Sequence, residues 1–310
     1  MGDDFKTYFQ SQIAEEIDFG PVMRFSLKRN DKNIERFIFV EGSTDEQFYG
    51  STQVEILCDK TAYFYRKMTD DDSLPEYKGK EAVFYALKKV CRNEQLASEI
   101  DRCLFIVDRD FSDHISSTQT KLNATEYSRI LITYGHSMES YFLEKNNVTV
   151  ILEYFNADVN RFWELFSCFA EEMSPYYALN AVITENYHTV RYRKTYTNDD
   201  ICTFDFKKGD RFWDGYDAMI EECRLMRSKI RKSQNSVMLQ RATFLETKIR
   251  HNPRYIRGHD AYTFLEQYLR QFHNVDISFN NHLAFKTIKP LIARFEVQLL
   301  KNSARLASAR

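Results

Sequence analysis

Three acidic residues, far apart in the chain, sit where simple chemistry could be done. Glu41 closes the apolar run of RFIFV and is followed by Gly42, while Asp108 and Asp110 close a second run in CLFIVDRDF. Side chains alternate along an extended strand, so Asp108 and Asp110 are expected to face one way while Arg109 turns aside. Carboxylates brought together repel, by about 4 kcal/mol for two unit charges ~4 Å apart at an effective dielectric of about 20. A hard divalent cation offsets that repulsion. Mg²⁺, with Mn²⁺ as an alternative, is held by a few carboxylates and otherwise by water and phosphate oxygens. Such an ion also stabilises charge developing on a phosphodiester during cleavage. Acids at strand ends are common in any case, because the loops there are solvated. The signal is the combination of Glu41-Gly42 with Asp108-x-Asp110 after separate apolar runs.

Further polar residues fall where they could join this chemistry. Asp45 lies one helical turn beyond Glu41 if a helix starts near Ser43. There it either approaches a second metal or serves as a first-turn acid favoured by the helix dipole. His136 and Glu139 follow the run RILITY. If that run is a strand parallel to the other two, Glu139 could bind metal or orient a ligand, and His136 could contact phosphate. The alternatives are a Glu139 that caps or pairs within a helix and a structural His136.

The elements that must position these residues follow from periodicity. From Arg36 to about Phe142, short apolar runs alternate with helical patterns: RFIFV, VEILC, AYFYR, CLFIV and RILITY as strands, STDEQFYG and GKEAVFYALKKVCR as helices. Ser43 or Thr44 is expected to cap the first helix and Glu46 to support its first turn. Strands alternating with helices argue for a parallel α/β sheet, and continuous apolar runs suit strands covered on both faces. In open parallel sheets, ligands bind beyond the carboxyl ends of the strands, where all three acids would lie. After about Val150 the chain reads as mainly helical through VTVILEYFNADVNRFWELFSCFAEEM, RFWDGYDAMIEECRLMRSKIRK, SVMLQRATFLETKIRH, GHDAYTFLEQYLRQF and NNHLAFKTIKPLIARFEVQLL. Two domains are therefore expected, 1–150 and 151–310.

With 310 residues, 43% hydrophobic and 28% charged, the chain has the composition of an ordinary globular protein. No apolar run approaches the roughly 20 residues of a membrane span, so no membrane partner is expected. The acidic start MGDDFKTYFQ lacks the pattern of a signal peptide. Six scattered cysteines without a C-x-x-C pair argue against a disulfide scaffold or a zinc site of ordinary spacing, and a cytoplasmic location is expected. Net charge is -2, but between Arg224 and Arg257 eight further basic residues face only Glu246. That run reads as a nucleic-acid face, a protein-partner face or a solvated helix surface.

The stretches FVEGSTDEQFY, FIVDRDF and HSMESYF resemble the Toprim nuclease fold, whose pattern is a glutamate after the first strand and a D-x-D after a later one. HSMESYF narrows the resemblance to the Toprim-like family of bacterial defence proteins that contains AriB, effector of the PARIS anti-phage system and related to OLD-type nucleases. RGHDAYTFL resembles the same family less specifically. This likeness covers about residues 36 to 145. It implies a Toprim-like parallel sheet flanked by helices, Glu41 as general acid/base and Asp108 and Asp110 as Mg²⁺ ligands. A further acid close after the glutamate aids metal binding in OLD-type nucleases, and Asp45 matches that place. The resemblance also implies an ABC-type, AriA-like ATPase partner that holds the effector inactive. Once released, the effector is expected to dimerise and cut host RNA, tRNA above all, to arrest translation.

A nuclease needs positive charge near its site. VRYRKTY offers Arg191, Arg193 and Lys194 interleaved with tyrosines, and DFKKGDRFW offers Lys207, Lys208 and Arg211 beside aromatics. Cations interleaved with aromatic rings suit backbone contacts and stacking on unpaired nucleotides. Chance interleaving also accounts for part of this, since aromatics make up 15% of the chain. Two alternatives to the ribonuclease stand beside it: a Toprim DNA nuclease, and a non-catalytic module that only binds an ATPase.

Overall fold

The structure is a computed structural model that describes residues 36–49, 62–65, 79–92, 97–110, 122–187, 189–252, 255–275 and 299–301. These fall into two compact units. The first holds the described residues of 36–109, 122–134 and 299–301, and the second holds residue 110 and the described residues of 135–275. The division thus lies at Tyr134/Gly135 rather than near residue 150, and it also passes between Arg109 and Asp110.

In the first unit the chain runs through β1 (Arg36–Phe39), α1 (Ser43–Tyr49), β2 (Ala62–Tyr65), α2 (Lys80–Arg92) and β3 (Cys103–Val107). It continues through α3 (Ala124–Ser128) and β4 (Ile130–Thr133), and ends in β5 (Leu299–Lys301). The strands form one sheet in the order β2-β1-β3-β4-β5, with the first four parallel and β5 antiparallel to β4. The architecture is mixed α/β. Ile38, Phe39, Phe105, Ile106, Val107, Ile130 and Ile132 are all buried, which is why their runs read as unbroken apolar stretches. Phe39 and Phe105 are register partners and stack at 4.7 Å, locking β1 to β3 just short of the acidic ends. On the flank, Glu126 of α3 is buried and receives two hydrogen bonds from Arg92 of α2, at 2.7 and 3.1 Å, while completing a capping box with Asn123.

One expectation changes here. The end of ARFEVQLL is not helical: Leu299–Lys301 pairs antiparallel with β4 as a strand, its backbone groups joining the sheet ladder instead of a helix. VEILC, the rest of the C-terminal stretch and residues 1–35 lie outside the described residues.

The second unit is helical. A 3₁₀ turn over Met138–Leu143 leads into α4 (Lys145–Tyr154), α5 (Val159–Glu185), the short α6 (Asn198–Ile201), α7 (Tyr216–Lys232), α8 (Ser236–Arg250) and α9 (Gly258–His273). The stretch expected as one helix from Val148 is two: Asn156 takes φ 53 and Asp158 then caps α5 by accepting from Arg161 N–H. α5 is the spine, with α7 and α8 packed along it. Pro175 inside α5 cannot donate to Glu171 O, and the Ser174 hydroxyl does so instead at 2.8 Å. Phe264 of α9 centres the core. Its ring lies 5.1–6.1 Å from those of Phe162, Phe166, Phe169, Phe204, Phe206 and Phe212. No helix among the described residues is long and apolar enough to cross a membrane.

Candidate active site

The parallel pairing of β1 with β3 sets Phe39 beside Phe105, so the chain leaves both strands at the same edge of the sheet. Glu41 turns its carboxylate across that edge. Its Oε1 accepts the main-chain N–H of Asp108 at 2.7 Å. Its other oxygen, Oε2, faces Gly79, and a Cβ added there would lie 3.3 Å from it. Gly79 has φ +55 and directly precedes α2, whose first turn it closes by accepting from Ala82 N–H at 3.1 Å. That backbone angle favours glycine, and a side chain there would press on the carboxylate. Glu41 is therefore half-buried and held between the end of β3 and the start of α2, where the helix favours negative charge.

Asp108 is also half-buried at the end of β3. Arg109 turns away, as alternation requires: it is buried, its N–H donates to Thr133 Oγ1 at 2.9 Å and its guanidinium to Tyr134 O at 2.8 Å. Alternation then stops. β3 ends at Val107, and Asp110 has φ 51, so strand geometry does not set the direction of its exposed side chain. Its N–H donates to His136 O at 2.7 Å.

The side chain of Glu46 lies outside the described residues, and Asp45 backs the first turn of α1. Its Oδ2 accepts from Gly42 N–H at 2.9 Å, the reciprocal arm of a capping box. In the second unit, His136 is buried and Glu139 sits half-buried in the 3₁₀ turn that packs on α9. A Cβ on Gly258 would meet Ser137 Oγ and, at 2.7 Å, Glu139 Cβ. The motifs HSMESYF and RGHDAYTFL thus meet through a glycine. Burial, helped by the charge of Glu139, pushes the Tyr262 hydroxyl well above its ordinary range.

Comparison with protein-family models, curated proteins and solved structures finds no match. Glu41 and Asp108 supply hard carboxylate oxygens at one sheet edge, the donor type that suits Mg²⁺, an ion bound through one or two carboxylates plus water and phosphate. No group of three or more His, Cys, Asp or Glu able to hold a metal occurs among the described residues.

The basic segments separate into engaged and available cations. Lys208 pairs with Asp214 at 2.7 Å and with Asp205 at 3.7 Å, whereas Lys207 and Arg211 are exposed. Arg191 and Arg193 are exposed in the loop after α5, and Lys194 hydrogen-bonds Tyr176 and Asn198. Much of the Arg224–Arg257 run is neutralised by acids outside it: Arg224 by Glu221, Arg241 by Glu185 and Arg257 by Asp260. Two buried acids had escaped the sequence reading, Glu222 and Asp260. Their signal was present, since each falls on the apolar stripe of its helix: Glu222 with Met219, Cys223 and Met226, Asp260 with Phe264 and Tyr268.

Proposed function

We propose that this chain is a Mg²⁺-dependent nuclease of Toprim type that cuts RNA, with tRNA the favoured substrate, and serves as an anti-phage effector restrained by an ABC-type ATPase. The observation that carries the catalytic part is the 2.7 Å hydrogen bond from Asp108 N–H to Glu41, which unites the two acidic ends of the resemblance. Glu41 is the general acid/base. The Asp108 N–H holds its carboxylate in place at the sheet edge, where it would take or give a proton. Asp108, with Asp110 two residues on, would hold the ion. Bound Mg²⁺ would stabilise charge developing on the phosphodiester and make a coordinated water more acidic. The substrate, the homodimer and the ATPase partner rest on the family resemblance.

Purified chain incubated with Mg²⁺ or EDTA, against total RNA and supercoiled plasmid, tests the reading. Metal-dependent loss of RNA, with tRNA first and Glu41→Gln inert, is the expected result. Nicked plasmid beside intact RNA would overturn the RNA assignment. A Glu41→Gln chain that still arrests cell growth would point to a binding module instead.

A further inference from the structure

Buried on α9, Asp260 organises a polar network that the catalytic reading does not use. Its side chain is 1% exposed. Oδ2 accepts from Tyr177 OH and from Asn198 Nδ2, both at 2.8 Å, and Oδ1 accepts from Arg257 at 3.2 Å. Asn198 is thereby oriented, with its amide nitrogen on the carboxylate and its Oδ1 turned to donors. That Oδ1 accepts from Tyr176 OH at 3.0 Å and from Lys194 Nζ at 3.3 Å, and Lys194 Nζ also reaches Tyr176 OH at 3.0 Å. Arg257 thus meets the buried carboxylate directly, and Lys194 is joined to it through Asn198. Arg257 balances it, and among the described residues Lys194 has only these neutral acceptors and the Tyr176 ring, 5.2 Å away. Partial burial and then the charge of Arg257 hold the Lys194 ammonium below its ordinary range.

The loop that carries Lys194 is fixed by the second buried acid. Glu222 of α7 accepts Tyr192 OH at 2.8 Å and the N–H groups of Thr195 and Tyr196, each at 3.1 Å. Asp200, the acid just beyond, is consumed by the cap of α6, where it accepts from Thr197 N–H at 2.7 Å. Exposed Arg191 and Arg193 precede Lys194 on the same anchored loop. Exposed Arg191, Arg193 and Lys194, with Asp199 the exposed acid nearby, thus stand on backbone held in place by buried Glu222, an arrangement preorganised for an anion. A row of such cations suits a repeating anion better than a single carboxylate.

We infer that Lys194 and Arg257 form a phosphate-binding site for the backbone of a single-stranded nucleic acid, with Arg191 and Arg193 extending it and Asp260, Asn198 and Glu222 as positioning residues. This deepens the nuclease reading by assigning a substrate contact, and it rests on that reading for its biological meaning.

Fluorescence anisotropy of the full-length chain in EDTA, with a labelled unstructured RNA oligonucleotide and DNA of the same sequence, tests the site over a range of NaCl concentrations. Lys194→Met keeps the stem that packs on Tyr176, and the double variant Arg257→Gln/Asp260→Asn removes the cation together with the carboxylate it balances. Each is expected to weaken binding on the order of tenfold at low salt and to reduce the log–log salt slope by about 0.7. Equal losses on RNA and DNA identify the phosphate as the ligand, and losses on RNA alone add the ribose. Circular dichroism melts confirm that each variant is folded. Folded variants that bind both strands as the wild type does, or a wild-type chain that binds neither, would overturn the site. Glu41→Gln is assayed separately for cleavage, so failure of the nuclease reading shows there and not in the binding data.

Discussion

The main-chain N–H of Asp108 donates to Oε1 of Glu41 at 2.7 Å, joining residues 67 positions apart. The contact fixes a carboxylate at the edge where β1 and β3 end, so its orientation is set before any ligand arrives. Replacing Glu41 by Gln separates structure from chemistry, because an amide oxygen still accepts that N–H. Urea unfolding is expected to change by less than about 1 kcal/mol. Metal-dependent cleavage is expected to fall by about 100-fold or more, measured as initial rate on RNA. Wild-type cleavage by this variant would remove Glu41 from the mechanism.

The Arg92–Glu126 pair ties α2 to α3 and should be read in the acid limb of stability. Burial alone would raise the Glu126 carboxyl, but the Arg92 and Asn123 hydrogen bonds bring it below the ordinary range. A lowered folded-state value means stability that is full above the unfolded-state value of about 4.3 and lost as pH falls through the folded-state value. Glu126→Gln is expected to cost about 1–2 kcal/mol at neutral pH, Arg92 being partly exposed, and to flatten the decline below pH ~4.5. Subtracting the two stability curves isolates this residue from Asp260, which burial shifts the opposite way. Parallel curves would remove the pair from the acid limb.

Removing the Glu222 carboxylate exposes a different dependence. It is wholly buried and accepts one hydroxyl and two main-chain N–H groups of the loop after α5. Glu222→Ala leaves those N–H groups without their acceptor, an expected loss of about 2–4 kcal/mol by chemical denaturation. Amide exchange at Thr195 and Tyr196 should quicken well before the rest of the unit. Unchanged exchange there would mean that the loop holds itself.

At Gly258 the start of α9 meets the turn that carries Glu139. An added methyl would fall 2.7 Å from Glu139 Cβ, so one segment must move. Gly258→Ala is expected to destabilise by about 1–3 kcal/mol, although alanine is the better helix former. A melting temperature equal to or above that of the wild type would show that the two segments part without penalty.

Much of the fold is legible in the sequence because burial writes itself into periodicity. The runs RFIFV, CLFIV and RILITY announce strands covered on both faces, and the stripe of Met219, Cys223, Met226 and Ile230 announces α7. The strand at Leu299–Lys301 was hidden, since three residues carry too little period to tell a strand from a helix end. Glu41 and the D-x-D stood out as acids closing apolar runs. Asp110 did not follow the strand pattern because its φ of 51 breaks the alternation the inference needs.

The sequence alone determines which segments must be buried and where acids interrupt them, since both are set by local residue type and spacing. Partner choice is different, because it depends on main-chain direction and on atoms brought together from distant segments. Tertiary structure alone decides that Glu41 meets Asp108, that Gly79 makes room for that carboxylate, and that Asp45 spends an oxygen on its own helix. It likewise decides that Arg257 meets Asp260 while Lys194 meets Tyr176 and Asn198. A hydrogen bond reaches about 3 Å, and no residue pattern specifies which distant groups come that close until the chain has folded.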